Sequence, residues 1–368
     1  MLRELREDVI AWCDENVSLE KAAQLDAGEC PISLYKQLAE CGWLTFADIT
    51  EAPDNLFRLA EVCKIVNSYS GVLGNMICVN AACAMMLGRY GAGDHKKLAS
   101  SLLTGQKLSA FALTEPQAGT DVQGLCASAY RDGDHWQVNG EKYLTTGAEV
   151  ADVLLIVTRS DPEVPMNRGT SLIAIPKDAP GLDIKPIPKM AVNGYASCHI
   201  TLKNVRVPID AAVGGANVAW DALALGGAIE RLLVAACCVG LSRTIGEYLH
   251  GYAKERQIAG HAMYNMTNIS HQIVDIAIQV RAADALVNEA IKSFLSGGNP
   301  TNAIAAAKSF AATMQQEVSM SAMKIMGGRA YLLSYPVERW LREGLLALWA
   351  GGTNELQKNL MARSPFER

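Results

Sequence analysis

Apolar and polar positions change rhythm twice along this chain. Up to about residue 107 the apolar residues recur at helical spacing, and LREDVIAWCDENV and ISLYKQLAECGWL both carry them at i, i+3 and i+4. GVLGNMICVNAACAMMLGRYG is apolar nearly all round, which predicts a buried helix. From Leu108 short alternating runs take over, among them KLSAFAL, CASAYRDGDHWQVNGEKYLTT, VADVLLIVTRS, TSLIAIPKDAPGLDIKPI and CHITLKNVRVP. Their period of two predicts strands, with turn chemistry in RDGDHWQVNG and PKDAPG. From about Val213 the helical rhythm returns in Trp220–Ile258, Asn268–Leu295 and Thr301–Ile325, with a break at Gly297-Gly298-Asn299-Pro300. The expected order is a helical domain over 1–107, a small antiparallel β domain over 108–212 and a helical domain over 213–368. That is an α+β chain without internal repeats.

Composition narrows the function classes. Half of the 368 residues are apolar, enough for a large core. The net charge is −5 and no long basic run exists, which argues against nucleic-acid binding. Ten cysteines are scattered, with no CxxC and no Cys/His group at zinc spacing, so no metal site is expected. They read as small core residues of a protein in a reducing cytosol. The start, MLRELREDVIAWC, is charged and helical, unlike a signal peptide. The most apolar run, Ser70–Leu87, is broken by Gly71, Gly74, Asn75 and Asn80, so no membrane span is expected.

Two segments stand out chemically. FALTEPQAGTD (Phe111–Asp121) is followed after a hairpin by YLTTG (Tyr143–Gly147). Near the end, LLALWAGGTNELQKNLMAR interrupts a helical pattern with Gly351-Gly352-Thr353-Asn354. Taken singly, the first reads as a turn with a capping Thr and the second as a helix–loop–helix turn. Taken together, with MGG (Met326–Gly328) and YPVERWLRE (Tyr335–Glu343) in register, they resemble the acyl-CoA dehydrogenases from about Pro31 to Arg363.

The resemblance implies an N-terminal helical domain, a middle β-barrel domain and a C-terminal four-helix bundle. It implies FAD held between the β domain and the C-terminal helices, in a homodimer or homotetramer. The cofactor-binding positions carried over are Phe111, Leu113, Thr114, Gly119, Thr120, Leu144 and Thr146, then Arg256, Lys324, Gly328, Thr353 and Glu355. A TEPQAGT turn at a strand end offers N–H groups and hydroxyls suited to a flavin edge and pyrophosphate.

Many relatives place the glutamate that removes the substrate's α-proton directly before Gly-Thr in the C-terminal loop. Here that position is Gly351. Another branch carries the base on a core helix before an arginine, and AIERLLVAA supplies Glu230 and Arg231. An acid and an arginine inside the apolar run Ala222–Val239 are costly to bury unless paired or used. A helix-surface ion pair is the bland alternative. By the resemblance, Glu230 is the base, Arg231 and Gly351 lie on the substrate side, and the N–H at Gly351 bonds the thioester carbonyl.

Departures from the family pattern are several. Leu144 stands where an aromatic commonly packs on the flavin. The Arg-x-x-Phe-Gly motif reads Arg256-Gln257-Ile258-Ala259-Gly260, and Thr267 and Lys324 stand where glutamines are expected. Loose FAD retention is the expectation. DITEAPDNLF replaces a substrate-side element and Ala228 an aspartate, a trimming associated with acyl groups carried on an acyl carrier protein rather than CoA. Lys185, Lys189, Lys203 and Arg206 are candidates for docking an acidic carrier, or are solvated strand positions. The electron acceptor would be an electron-transfer flavoprotein or O₂. Competing readings are an ordinary acyl-CoA dehydrogenase, a flavin monooxygenase or nitroalkane oxidase on the same fold, and a non-catalytic scaffold.

Overall fold

The computed structural model describes residues 2–363. Helices come first: α1 (Leu2–Asn16), α2 (Leu19–Ala27), α3 (Ile32–Glu40), α4 (Asn55–Tyr69), α5 (Gly71–Tyr90) and α6 (Asp94–Leu103). Strands follow: β1 (Ser109–Ala112), β2 (Ser128–Asp132), β3 (His135–Thr146), β4 (Val153–Arg159), β5 (Thr170–Pro176), β6 (Leu182–Ile187) and β7 (Ser197–Pro208). Helix α7 (Ala219–Glu255), a small hairpin of β8 (Gln257–Ile258) and β9 (His261–Ala262), and helices α8 (Thr267–Leu295), α9 (Thr301–Met326), α10 (Val337–Leu345) and α11 (Asn354–Met361) complete the chain. The expected helical–β–helical order is present.

Compactness divides the chain differently from sequence texture. One unit holds residues 28–55 and 75–230; the other holds 2–27, 56–74 and 231–363. The N-terminal helices are shared between the two.

The first unit is built on a seven-stranded sheet in the order β1-β4-β2-β3-β7-β6, with β5 on β4. Most pairs are antiparallel, but β1 runs parallel to β4. Parallel pairing needs a long crossover, and residues 113–152, which contain the β2–β3 hairpin, provide it. Alternation puts Trp136 and Val138 of β3, Ile200 and Leu202 of β7 and Ile173 and Ile175 of β5 into one core. Each such side chain contributes roughly 1.5–3 kcal/mol when fully buried. Asn80 of α5 accepts from the Ser109 N–H at 2.8 Å, tying that helix to the start of β1.

In the second unit α9 packs against α8, α10 and α11. The inward face of α8, with Ile273, Ile276, Val280, Ala283 and Val287, keeps the three-and-four spacing that helix packing requires. By length and composition α5 and α7 would suffice to cross a membrane, which the sequence reading did not anticipate. Most of α5 is buried within the protein. All ten cysteines are free.

Candidate active site

In the sheet unit, the TEPQAG turn is organised by one buried acid. Glu115 and Ala118 bond each other's backbones, closing the turn. The Glu115 carboxylate accepts from the Cys126 and Ala127 N–H groups at 2.7 and 3.0 Å and from Gln117 at 2.6 Å. Beneath it lies Lys142 of β3, 0% exposed, whose Nζ donates to Glu115 at 2.7 Å and to the Leu113 carbonyl at 3.0 Å. Burial pushes the Glu115 pKa up, but the Lys142 charge and the backbone donors outweigh it and hold the carboxyl below its usual range. Burial pulls Lys142 down to about 8, against the pull of Glu115. The pair fixes the strand edge Leu113–Thr114, and the Thr114 carbonyl also accepts from Tyr143 N–H at 2.8 Å.

Two residues past Lys142, β3 slips register against β7, and Leu144 adopts φ +57. A left-handed leucine costs about 1–2 kcal/mol, yet its side chain is 52% exposed. The bulge turns an apolar group outward while returning Thr145 to the interior. Phe111, Leu113, Thr114 and Thr146 are half-buried, and Gly119 and Thr120 are exposed. Thr146 Oγ1 lies 3.4 Å from Ser197 Oγ.

The helical unit contains the glycine loop. Gly351 and Gly352 have φ +66 and +94, a region that L side chains rarely adopt. A Cβ at Gly351 would stand 3.2 Å from Arg231 Cγ, so the glycine also lets the loop lie against α7. The sequence reading left that space to an acyl group; the side on which a Cβ would project is taken by Arg231. The Gly351 carbonyl accepts from Arg231 Nε at 3.0 Å and from Gln357 Nε2 at 3.3 Å. The Gly352 carbonyl accepts from Lys308 Nζ at 2.6 Å and from Gln357 at 3.2 Å. Thr353 caps α11 through its hydroxyl, which accepts from Leu356 N–H at 3.1 Å. Glu355 in the first turn of α11 is exposed, as are Arg256, Lys324 and Gly328. Ala259 and Gly260, with φ +50 and +82, form the two-residue turn of the β8–β9 hairpin.

Glu230 sits half-buried on α7. One turn earlier Gly226 lets that helix approach α5, since a Cβ there would meet Met86 Sδ at 2.6 Å. The Cys83 thiol is pushed up to about 12, first by burial, with the Glu230 charge adding to the shift. Glu230 therefore lies within electrostatic reach of a buried part of α5.

Sequence reasoning missed Lys142, Lys308 and Gln357, and quoted Glu115 without assigning it a role. Of the proposed basic docking group, Lys203 is exposed and two other cations are paired. Lys185 pairs with Asp183 at 2.9 Å and Arg206 with Asp132 at 3.3 Å. Lys189 Nζ is turned onto the Tyr195 carbonyl at 2.8 Å. Asp183 lies on the same strand as Lys185, and Asp132 lies on β2.

A mixed sheet carrying an ordered turn and an outward apolar bulge, with a helical unit carrying a glycine loop, fits the architecture of a flavin-dependent oxidoreductase. Comparison with known proteins gives the same class. Residues 110–205 match the family described as "Acyl-CoA dehydrogenase, middle domain" and residues 215–365 the one described as "Acyl-CoA dehydrogenase, C-terminal domain". Over 348 residues the chain is 29% identical to a probable acyl-CoA dehydrogenase, YngJ, of Bacillus subtilis (strain 168), covering 91% of this chain and 90% of that one. Butyryl-CoA dehydrogenase from Megasphaera elsdenii superposes with a TM-score of 0.94 at 22% identity, covering 100% of this chain and 98% of that chain. The prolyl acyl carrier protein oxidase AnaB superposes with a TM-score of 0.92 at 21% identity, covering 100% and 99%. The chain belongs to the acyl-CoA dehydrogenase family, whose members are FAD-dependent oxidoreductases.

The residues present fit that cofactor. The sheet unit offers an outward apolar side chain at Leu144 and hydroxyls at Thr114, Thr120 and Thr146, groups that suit a ring with one apolar face and polar edges. The helical unit offers exposed cations at Arg256 and Lys324 that suit phosphates.

Proposed function

We propose that this protein dehydrogenates an acyl thioester, with Glu230 as the base that removes the α-proton. The observation that carries this reading is the state of Gly351. The loop has no carboxylate there, and its backbone is held at φ +66 against α7. The acid next to that contact in sequence is Glu230, directly before the Arg231 that donates to the Gly351 carbonyl.

The steps of this chain's own residues follow. The Glu230 carboxylate accepts the proton from the carbon next to the thioester carbonyl. Negative charge develops on the carbonyl oxygen, and the Gly351 N–H stabilises it, while the N–H groups of Ala350 and Gly352 already donate to Leu346 and Trp349. Arg231, Lys308 and Gln357 hold the loop carbonyls and so fix the orientation of that donor. FAD, when bound, would supply the acceptor for the β-hydride. Leu113, Thr114, Thr120, Leu144 and Thr146 would hold its ring, and Arg256, Lys324, Gly328, Thr353 and Glu355 its ribityl and phosphate groups. The final acceptor in this reading would be an electron-transfer flavoprotein or O₂.

Within this reading the acyl group is short or polar and rides on an acyl carrier protein. Ala228, in place of an aspartate, supports this, as does the region Asp48–Asn55. That region is a compact turn in which Asp48 accepts from the Thr50 N–H and the Asn55 amide bonds the Asp48 carbonyl at 2.9 Å. The paired state of Lys185 and Arg206 moves carrier docking away from the β6–β7 face. Self-association into a homodimer or homotetramer is supported by exposed apolar side chains on α8 (Val274, Ile278) and α9 (Phe310, Met320). Ten free thiols suit a reducing compartment such as the cytosol.

The test is anaerobic addition of one acyl group, as a carrier-protein thioester and as a CoA thioester, to FAD-loaded protein while flavin absorbance is followed. Bleaching by the carrier-bound form alone supports the full reading. Bleaching by both makes CoA an ordinary substrate, and bleaching by neither defeats the proposal.

A further inference from the structure

We propose that Lys308, with Gln357, is a positioning residue for the glycine loop, setting the loop's N–H donor for the charged rather than the neutral form of the substrate. The inference deepens the thioester-dehydrogenase reading and rests on it.

Lys308 lies in the N-terminal third of α9 and is 0% exposed. Its ammonium group donates to the Gly352 carbonyl at 2.6 Å, to Asn354 Oδ1 at 3.0 Å and to the Leu348 carbonyl at 3.4 Å. One side chain therefore grips the loop before, within and after the glycines. Asn354 is itself held by Thr313 of α9, whose hydroxyl accepts from its amide at 3.1 Å. Gln357, also 0% exposed, reaches back from α11 to the carbonyls of Gly351, Gly352 and Thr353 at 3.2–3.3 Å.

Burying a lysine is expensive unless its donors are satisfied. Here donors of the lysine reach three points of a segment that would otherwise be soft. Two successive residues at positive φ have no helix or strand ladder of their own, and glycine loses the most conformational freedom on ordering. The loop's order is thus supplied from outside it. A donor moved by about 1 Å can cost roughly 100-fold in rate. The loss falls mainly on the charged state, because hydrogen bonds to an ionised oxygen are roughly twice as strong as those to a neutral one.

The test uses the FAD-loaded full chain and its Lys308→Met and Gln357→Met variants. Hydrogen exchange of residues 346–357 should rise about tenfold in each, with the rest of α8 and α9 unchanged. The kcat for a thioester should fall about 10- to 100-fold while KM changes less than about threefold. Affinity for a 3-oxoacyl thioester, which ionises to an enolate, should fall more than affinity for a saturated thioester. Should Lys308→Met fail to fold, Gln357→Met carries the same three readouts. Unchanged loop exchange, or equal weakening of the two ligands, overturns the proposal. A wild-type protein that binds no thioester defeats the parent reading instead, and loop exchange in the variants still decides whether these residues position the loop.

Discussion

Lys142 of the sheet unit and Lys308 of the helical unit are both fully buried, and both donate to a backbone carbonyl of an irregular segment. Their other partners differ. Lys142 meets a buried carboxylate, Glu115, which itself collects backbone N–H groups from Cys126 and Ala127. Lys308 meets the carbonyls of Leu348 and Gly352 and the Asn354 amide oxygen. In the first region an ion pair holds a strand edge rigid, next to a left-handed leucine whose side chain is outward. In the second, carbonyl after carbonyl of a glycine loop is taken up by side chains. A segment that presents a surface is braced by a buried ion pair, and a segment that must aim its donor is gripped along its backbone.

Removing one brace in the sheet unit should have the largest effect. Lys142→Met leaves Glu115 buried without its cation and should cost about 3–5 kcal/mol in chemical denaturation. A double variant with Glu115→Gln should recover part of that loss. If Lys142→Met is as stable as the parent, the first half of the comparison is wrong. Gly351→Ala comes next. Its Cβ meets Arg231 at 3.2 Å in a left-handed backbone, and a loss of about 1–3 kcal/mol is expected, with weakened thioester binding. For the same reason Gly351→Glu should not rescue a Glu230→Gln variant, since the new side chain must displace Arg231.

Leu144→Gly separates strain from function. It should stabilise the flavin-free protein by about 1 kcal/mol while weakening FAD affinity, read by thermal unfolding and flavin titration. A further effect concerns pH. The folded protein holds Lys142 at about 8, below its ordinary 10.5, so the unfolded chain binds more protons between those values. Stability contributed by this group therefore rises with pH across that window. The stability gap between wild type and Lys142→Met should widen from pH 8 to pH 10, measured by urea midpoints.

Much of this was legible in the chain. Alternation located β3 and the hairpin at Gly133, and the Gly297–Pro300 break falls between α8 and α9. The buried lysines were legible too, had phase been followed residue by residue. Lys142 shares the inward parity of Trp136 and Val138 on β3, and Lys308 lies on the buried stripe of Ile304, Ala311 and Gln315 on α9. A lysine at an inward position is a better signal than a lysine in a run. The parallel pairing of β1 with β4 was not legible, because strand order is set by contacts distant in sequence. Nor was the pairing of Lys185 with Asp183 weighed, although the two stand two residues apart on one strand face. The left-handed leucine could not be read either, since leucine carries no local preference for that conformation.

The central claim is that Glu230, and no residue of the glycine loop, takes the α-proton. The direct measurement is loss of the α-proton label from an α-tritiated acyl-carrier thioester, with FAD-loaded wild type, Glu230→Gln and Glu355→Gln compared at equal flavin content. The account predicts rapid label release by wild type and Glu355→Gln, and a fall of roughly 10²–10⁴-fold in Glu230→Gln. Release by Glu230→Gln at the wild-type rate, or its loss in Glu355→Gln alone, would contradict it.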